Sequence, residues 1–178
     1  MTLEQLKHAI RAACQVSDDD EVWIFGSQAI LGAFPDAPES LVTSIEVDLQ
    51  PKNKPETVDQ VDGPLGELSA FHELHGFYVH GFPISDTKLP PGWESRVIRV
   101  DDDIGDRGFV GWCLEPHDLA ASKLAAGREK DRDFVRTLLV EEMIDPDELK
   151  ECVASLPIDP DQKNRIAWWI EATWAELS

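Results

Sequence analysis

Two acidic residues two positions apart, Glu46 and Asp48, are the first feature of this 178-residue chain that could do chemistry. In Ser44-Ile45-Glu46-Val47-Asp48-Leu49 polar and apolar residues alternate. That is the period of a β-strand, so both carboxylates leave the same face. Such a pair can hold Mg²⁺ while a substrate's phosphates complete its shell. An ordinary acidic strand face is the alternative in a chain with 35 Asp and Glu residues. Ile45, Val47 and Leu49 argue for a strand otherwise buried, where paired acids need a reason.

Two further stretches offer complementary chemistry. Phe25-Gly26-Ser27 follows the apolar run Val22-Trp23-Ile24. A glycine at a strand end lets a phosphate approach the backbone, the start of a following helix offers free N–H groups, and Ser27 adds a hydroxyl. Taken alone, Gly-Ser after a strand marks only a turn. Farther on, Lys123, Arg128, Lys130, Arg132 and Arg136 make up five of the chain's 16 basic residues. Most of them read as a helix surface with ion pairs such as Arg128–Asp131. Lys123 stands apart, because Leu119, Ala120, Ala121 and Leu124 surround it with small and apolar neighbours.

The elements that must position these residues can be read from spacing. Leu3, Leu6, Ile10, Ala13 and Cys14 recur as on an amphipathic helix. Val22–Phe25 reads as a buried strand, 28–34 as a short helix stopped near Pro35, and 44–49 as the acid-bearing strand. Residues 77–82 and 96–100 read as further strands, on either side of the Leu89-Pro90-Pro91-Gly92 turn. Beyond Cys113 the pattern is helical. Pro116 suits a first helical turn, and Asp145-Pro146-Asp147-Glu148 and Asp159-Pro160-Asp161-Gln162 are two N-terminal caps. The expected organisation is an α/β core over 1–114, a small mixed sheet with flanking helices, and a C-terminal helical part over 115–178 packed on that core as one unit.

Composition narrows the partners. The formal net charge of −19 disfavours indiscriminate binding to phosphate backbones or anionic membranes, and a basic protein is a plausible partner. Three scattered cysteines form neither a disulfide framework nor a zinc cage. No apolar leader or membrane span is visible, so the expected location is cytoplasmic. His72, His75 and His80 lack HExxH spacing and read as surface histidines. The runs Asp18–Asp20 and Asp101–Asp103 lack the pattern of a calcium loop and read as solvated turns. Trp168, Trp169 and Trp174 read as helix packing, with Trp168 also able to face a partner, and Cys113 reads as a buried thiol.

In order, Gly26-Ser27, Glu46-Val47-Asp48 and a helical Lys123 followed by Arg128-Glu129-Lys130-Asp131 resemble the minimal nucleotidyltransferase fold. More closely they resemble the AbiEii/MenT-type toxins of type IV toxin–antitoxin systems. The stretch from Leu114-Glu115-Pro116-His117-Asp118-Leu119 to Phe134 carries much of that likeness, which spans roughly residues 22–140. It implies that Glu46 and Asp48 bind Mg²⁺ and that Gly26, Ser27, Lys123 and Arg128 meet the phosphates of a nucleoside triphosphate. Asp131 would orient the lysine or the metal site. The implied reaction moves a nucleoside monophosphate onto RNA, in several members the 3′ end of tRNA, and an antitoxin protein is an implied partner. Three features depart from the pattern. Gly26 and Asp48 stand farther apart than in the compact motif, so that the Pro35–Ser40 segment reads as an insertion. Glu46 stands where the family usually has Asp, and where many relatives place a third acid on a later strand this chain offers His80, with Asp86 beyond it. A non-catalytic binding protein of the same fold, or transfer to a protein side chain, therefore stays open beside RNA modification.

Overall fold

In the computed structural model, which describes residues 1–102 and 108–177, the first helix forms where the spacing places it. Helix α1 spans Leu3–Ser17. The Thr2 hydroxyl accepts from the Gln5 N–H while the Gln5 side chain accepts from the Thr2 N–H, which satisfies two helix-end donors reciprocally. Leu6, Ala9, Ile10 and Ala13 are fully buried, and α1 lies across a five-stranded sheet.

The strands are β1 (Glu21–Phe25), β2 (Glu46–Pro51), β3 (Tyr78–Gly81), β4 (Ile98–Asp102) and β5 (Phe109–Cys113), in the order β3-β2-β1-β5-β4. The pairs β1–β2 and β4–β5 run antiparallel, while β1–β5 and β2–β3 run parallel, so the sheet is mixed as expected. Val22, Ile24, Val47, Leu49, Val79 and Val100 are buried on the α1 side. Between β1 and β2 lie a 3₁₀ turn (Ser27–Ala29) and the single-turn helix α2 (Ile30–Ala33). Helices α3 (Asp59–Leu65) and α4 (Ala70–His75) precede β3, and α3 packs on β3 and α1.

Strand β5 is the one the sequence does not announce, because Gly111 breaks its apolar run. The glycine is demanded by packing. A β-carbon there would sit 2.5 Å from Ile10 Cδ1 and 2.6 Å from Ile24 Cδ1, closer than carbon atoms can approach.

Both acidic runs differ from the solvated turns expected of them. Asp19 is buried, and its carboxylate accepts from the Asn53 and Lys54 N–H groups at 2.7 and 2.9 Å, tying the α1–β1 turn to the end of β2. Asp101 and Asp102 continue β4. Asp102 faces the helix side, is fully buried, and pairs with Arg11 of α1 at 3.3 Å. Asp103 lies outside the described residues.

The chain divides into two compact units: Met1–Asp86 with Val97–Leu114, and Thr87–Arg96 with Glu115–Ser178. The second contains α5 (Pro116–Ala126), α6 (Glu129–Val140), α7 (Pro146–Ser155) and α8 (Pro160–Leu177). Its two Asp-Pro caps form as the sequence indicates. Asp145 accepts from the Asp147 and Glu148 N–H groups, and Asp159 from that of Asp161. Arg96 makes a two-point ion pair with Asp118, 2.8 Å at each contact, which fastens residues 87–96 to α5. Trp168 is 70% exposed and so is not packed as the helix spacing suggests. Among the described residues no helix is long and apolar enough to cross a membrane.

Candidate active site

Strand register assembles the acidic cluster. Asp48 of β2 lies opposite Phe25 of β1 on one side and opposite His80 of β3 on the other, and Glu46 lies opposite Tyr78. Directly paired residues share a face, so these side chains all project from the side of the sheet away from α1. His80 Nδ1 is 3.0 Å from Asp48 Oδ1 and 3.4 Å from Glu46 Oε1. One ligand atom from each of the three residues falls within a 4.8 Å span. Their side chains are 27% (Asp48), 34% (Glu46) and 40% (His80) exposed, open enough for a ligand to reach.

An imidazole nitrogen facing two carboxylates carries the proton, and its N–H donates to Asp48, fixing the tautomer and the carboxylate's rotation. His80 is thus part of the cluster rather than an isolated surface histidine. His72 and His75, the two histidines read together with it, go elsewhere. His72 Nδ1 accepts from the Leu68 N–H at 3.1 Å, and the His75 ring lies 4.4 Å from that of His8. The Tyr78 hydroxyl is held above its usual pKa by burial first, then by the negative charges of Glu46, Glu67 and Asp48 and a hydrogen bond with Glu46.

Gly26 ends β1 with φ of 72°. A β-carbon there would lie 2.1 Å from Asp48 Oδ2, so the absent side chain makes room for the acid. Gln28 then fixes the turn. Its side chain is fully buried, and Nε2 donates to the Ser44 carbonyl at 2.9 Å. The Ser44 hydroxyl in turn accepts from the Glu46 N–H. The Gly26-Ser27-Gln28 turn is in this way clamped to the start of the acid-bearing strand, despite the long segment separating them in sequence. The expected helix start after Ser27 is weaker than the sequence suggests. Only a 3₁₀ turn and one turn of α-helix follow, too short to sum an appreciable dipole.

The neighbouring row on the same face satisfies itself. Trp23 and Trp112 are paired in register, with Lys52 Nζ 5.2 Å from each ring. Glu21 accepts from both Lys52 and the Trp112 indole.

Lys123, Arg128 and Asp131 come together in the helical unit. Lys123 is buried, with Nζ 3.4 Å from Asp131 Oδ1 and 4.5 Å from the centre of the Phe134 ring. Arg128 Nε donates to Asp131 Oδ2 at 2.6 Å, the ion pair read from the sequence. Asp131 therefore holds the lysine and the arginine at once.

A mixed five-stranded sheet, with paired carboxylates on its open face beside a glycine turn, defines a nucleotidyltransferase-like α/β protein. The chain belongs to the family described as nucleotidyltransferase of unknown function (DUF6036), whose model matches residues 1–175. No curated protein and no solved structure matches it.

Proposed function

We propose that this chain is a Mg²⁺-dependent nucleotidyltransferase that moves a nucleoside monophosphate from a nucleoside triphosphate to RNA, with the 3′ end of tRNA as acceptor. The observation that carries the reading is the convergence of Glu46 and Asp48 on one open sheet face, with Gly26 shaped around Asp48. Two carboxylates suit Mg²⁺, which keeps its remaining positions for water and phosphate oxygens. An imidazole suits softer ions, so His80 serves as the group that orients Asp48. When bound, the metal supplies charge to the triphosphate and to the leaving pyrophosphate.

In this reaction an acceptor hydroxyl oxygen bonds to the α-phosphorus and the bond to the β-phosphate's bridging oxygen breaks. The hydroxyl proton passes to solvent or to a carboxylate. Glu46 and Asp48 hold the metal, and Ser27 offers its hydroxyl to phosphate. The roles of Lys123 and Arg128 on the phosphates, and of Asp131 in orienting Lys123, follow from the likeness to AbiEii/MenT-type toxins. That likeness also carries the toxin role and a cognate antitoxin as partner, and the charge of −19 suits a basic protein surface. Calorimetry with each nucleoside triphosphate tests the site. A Mg²⁺-dependent component of binding should be present in wild type and lost in Asp48→Asn, whereas the absence of any Mg²⁺-dependent component, or its survival in Asp48→Asn, would remove the assignment.

One observation favours a second reading, a non-catalytic nucleotide- or protein-binding member of the fold: His80 already bonds Asp48 where relatives place a third acid. Metal-dependent nucleotide binding without turnover on RNA or on protein would select it.

A further inference from the structure

We infer that the helical unit carries a nucleotide site of its own, one that needs no metal and takes a nucleoside phosphate through its phosphate group and one ring. A cavity of about 180 Å³ opens where the end of α5 meets α6 and α8, lined chiefly by Leu124, Arg132, Gln162, Arg165, Ile166 and Trp169. No acid lines it, in a chain of formal charge −19. Among the described residues, neither Arg132 nor Arg165 has a carboxylate partner. The flanking Arg128 and Arg136 are by contrast paired, with Asp131 and Glu176. Among the described residues Arg132 and Arg165 are thus two arginines without a carboxylate partner that line a single cavity.

The lining specifies a ligand in three parts. Guanidinium forks match the oxygens of a phosphate in a way a lysine cannot. Leu124 and Ile166 are buried and apolar, and Trp169 is half-buried, giving a flat ring an indole and an aliphatic floor to lie against. Gln162 Nε2 donates to the Ala125 carbonyl at 2.8 Å, which fixes the amide and leaves Oε1 to accept from a ligand N–H or O–H. A phosphate, a flat ring and a hydrogen-bond donor in one small molecule describe a nucleoside phosphate. The volume slightly exceeds the roughly 150 Å³ that takes up benzene in an engineered cavity, so the cavity holds the ring while the exposed Arg132 and Arg165 meet the phosphate and the rest of the ligand stays in solvent. An extended nucleic-acid strand fits less well, because the overall negative charge opposes a long phosphate backbone.

The test is calorimetric titration of the full chain with AMP, GMP, CMP and UMP in EDTA, where the carboxylate cluster cannot act through a metal. At least one nucleotide should bind. Arg132→Gln and Arg165→Gln should each weaken it by about tenfold or more. Both side chains sit at exposed positions, so circular dichroism and Tm should stay as in wild type. Asp48→Asn should bind as wild type does, and inorganic phosphate should bind at least about tenfold more weakly than the nucleotide. The inference is overturned if none of the four binds or if binding survives both arginine replacements. It also fails if Asp48→Asn abolishes binding, or if phosphate binds as tightly as the nucleotide. None of these failures touches the reading of the acid cluster, whose test requires Mg²⁺.

Discussion

The Asp48 carboxylate occupies the space that a side chain at position 26 would fill, with Oδ2 2.1 Å from where a β-carbon of Gly26 would stand. The same glycine has φ of 72°, so two independent costs oppose any substitution. Gly26→Ala should lose about 1–2 kcal/mol to backbone strain alone, plus the cost of displacing the acid. In a double-mutant cycle with Asp48→Ala, the steric part should vanish and the strain should remain. Chemical denaturation of the four proteins reads this directly, and full additivity would show that the two residues do not compete for space.

Position 111 is a second place where an added side chain would crowd its neighbours. Gly111→Val should destabilise the sheet unit by about 1–3 kcal/mol through overpacking against Ile10 and Ile24. Combining it with Ile10→Val should recover part of the loss, and thermal unfolding should report both changes.

These two glycines also show where the sequence is legible. The acid pair, the first helix, four of the strands and both Asp-Pro caps follow from periodicity and local chemistry, which depend on near neighbours in the chain. Strand β5 is hidden because the reason for Gly111 is Ile10 on another element. The bond of His80 to Asp48 is hidden for the same kind of reason: the sequence offers His80 at the place of a third acid, but the contact depends on the parallel pairing of β3 with β2, which no local pattern encodes. The signal available for it was its position in an alternating strand, facing the same way as Tyr78. Asp19 and Asp102 look like members of solvated runs until long-range contacts bury them.

Asp19 sets an acid limit. Burial alone would raise its pKa, but the Asn53 side chain and the N–H groups of Glu21, Asn53 and Lys54 hold it below the ordinary 3.8. A depressed pKa in the folded state gives stability that is present above the unfolded value and lost as pH falls through the folded one. Wild type should therefore lose stability below about pH 4 through this group. Asp19→Asn should flatten that part of the profile and cost about 2 kcal/mol at pH 7. Denaturation midpoints between acid and neutral pH check both statements, and an unchanged acid limb in Asp19→Asn would refute the assignment.

Lys123 is buried against Asp131 and Phe134, so its removal should affect stability as well as any transfer activity. Lys123→Ala should cost about 3 kcal/mol, at the lower end for a broken buried pair because Arg128 still neutralises Asp131. Lys123→Ala combined with Asp131→Ala should be less damaging than the two losses added together. A Lys123→Ala protein with wild-type Tm would contradict the burial argument.

The central claim is that Glu46 and Asp48 form the metal-holding pair of a nucleotidyltransferase. Its most direct test is transfer of label from each α-phosphate-labelled nucleoside triphosphate to total cellular RNA in Mg²⁺, comparing wild type with Asp48→Ala and Glu46→Ala. The account predicts label on a tRNA-sized band with at least one nucleotide, lost in both variants while each keeps its fold. Transfer that persists in folded Asp48→Ala, or no transfer to RNA by wild type with any of the four nucleotides, would contradict it.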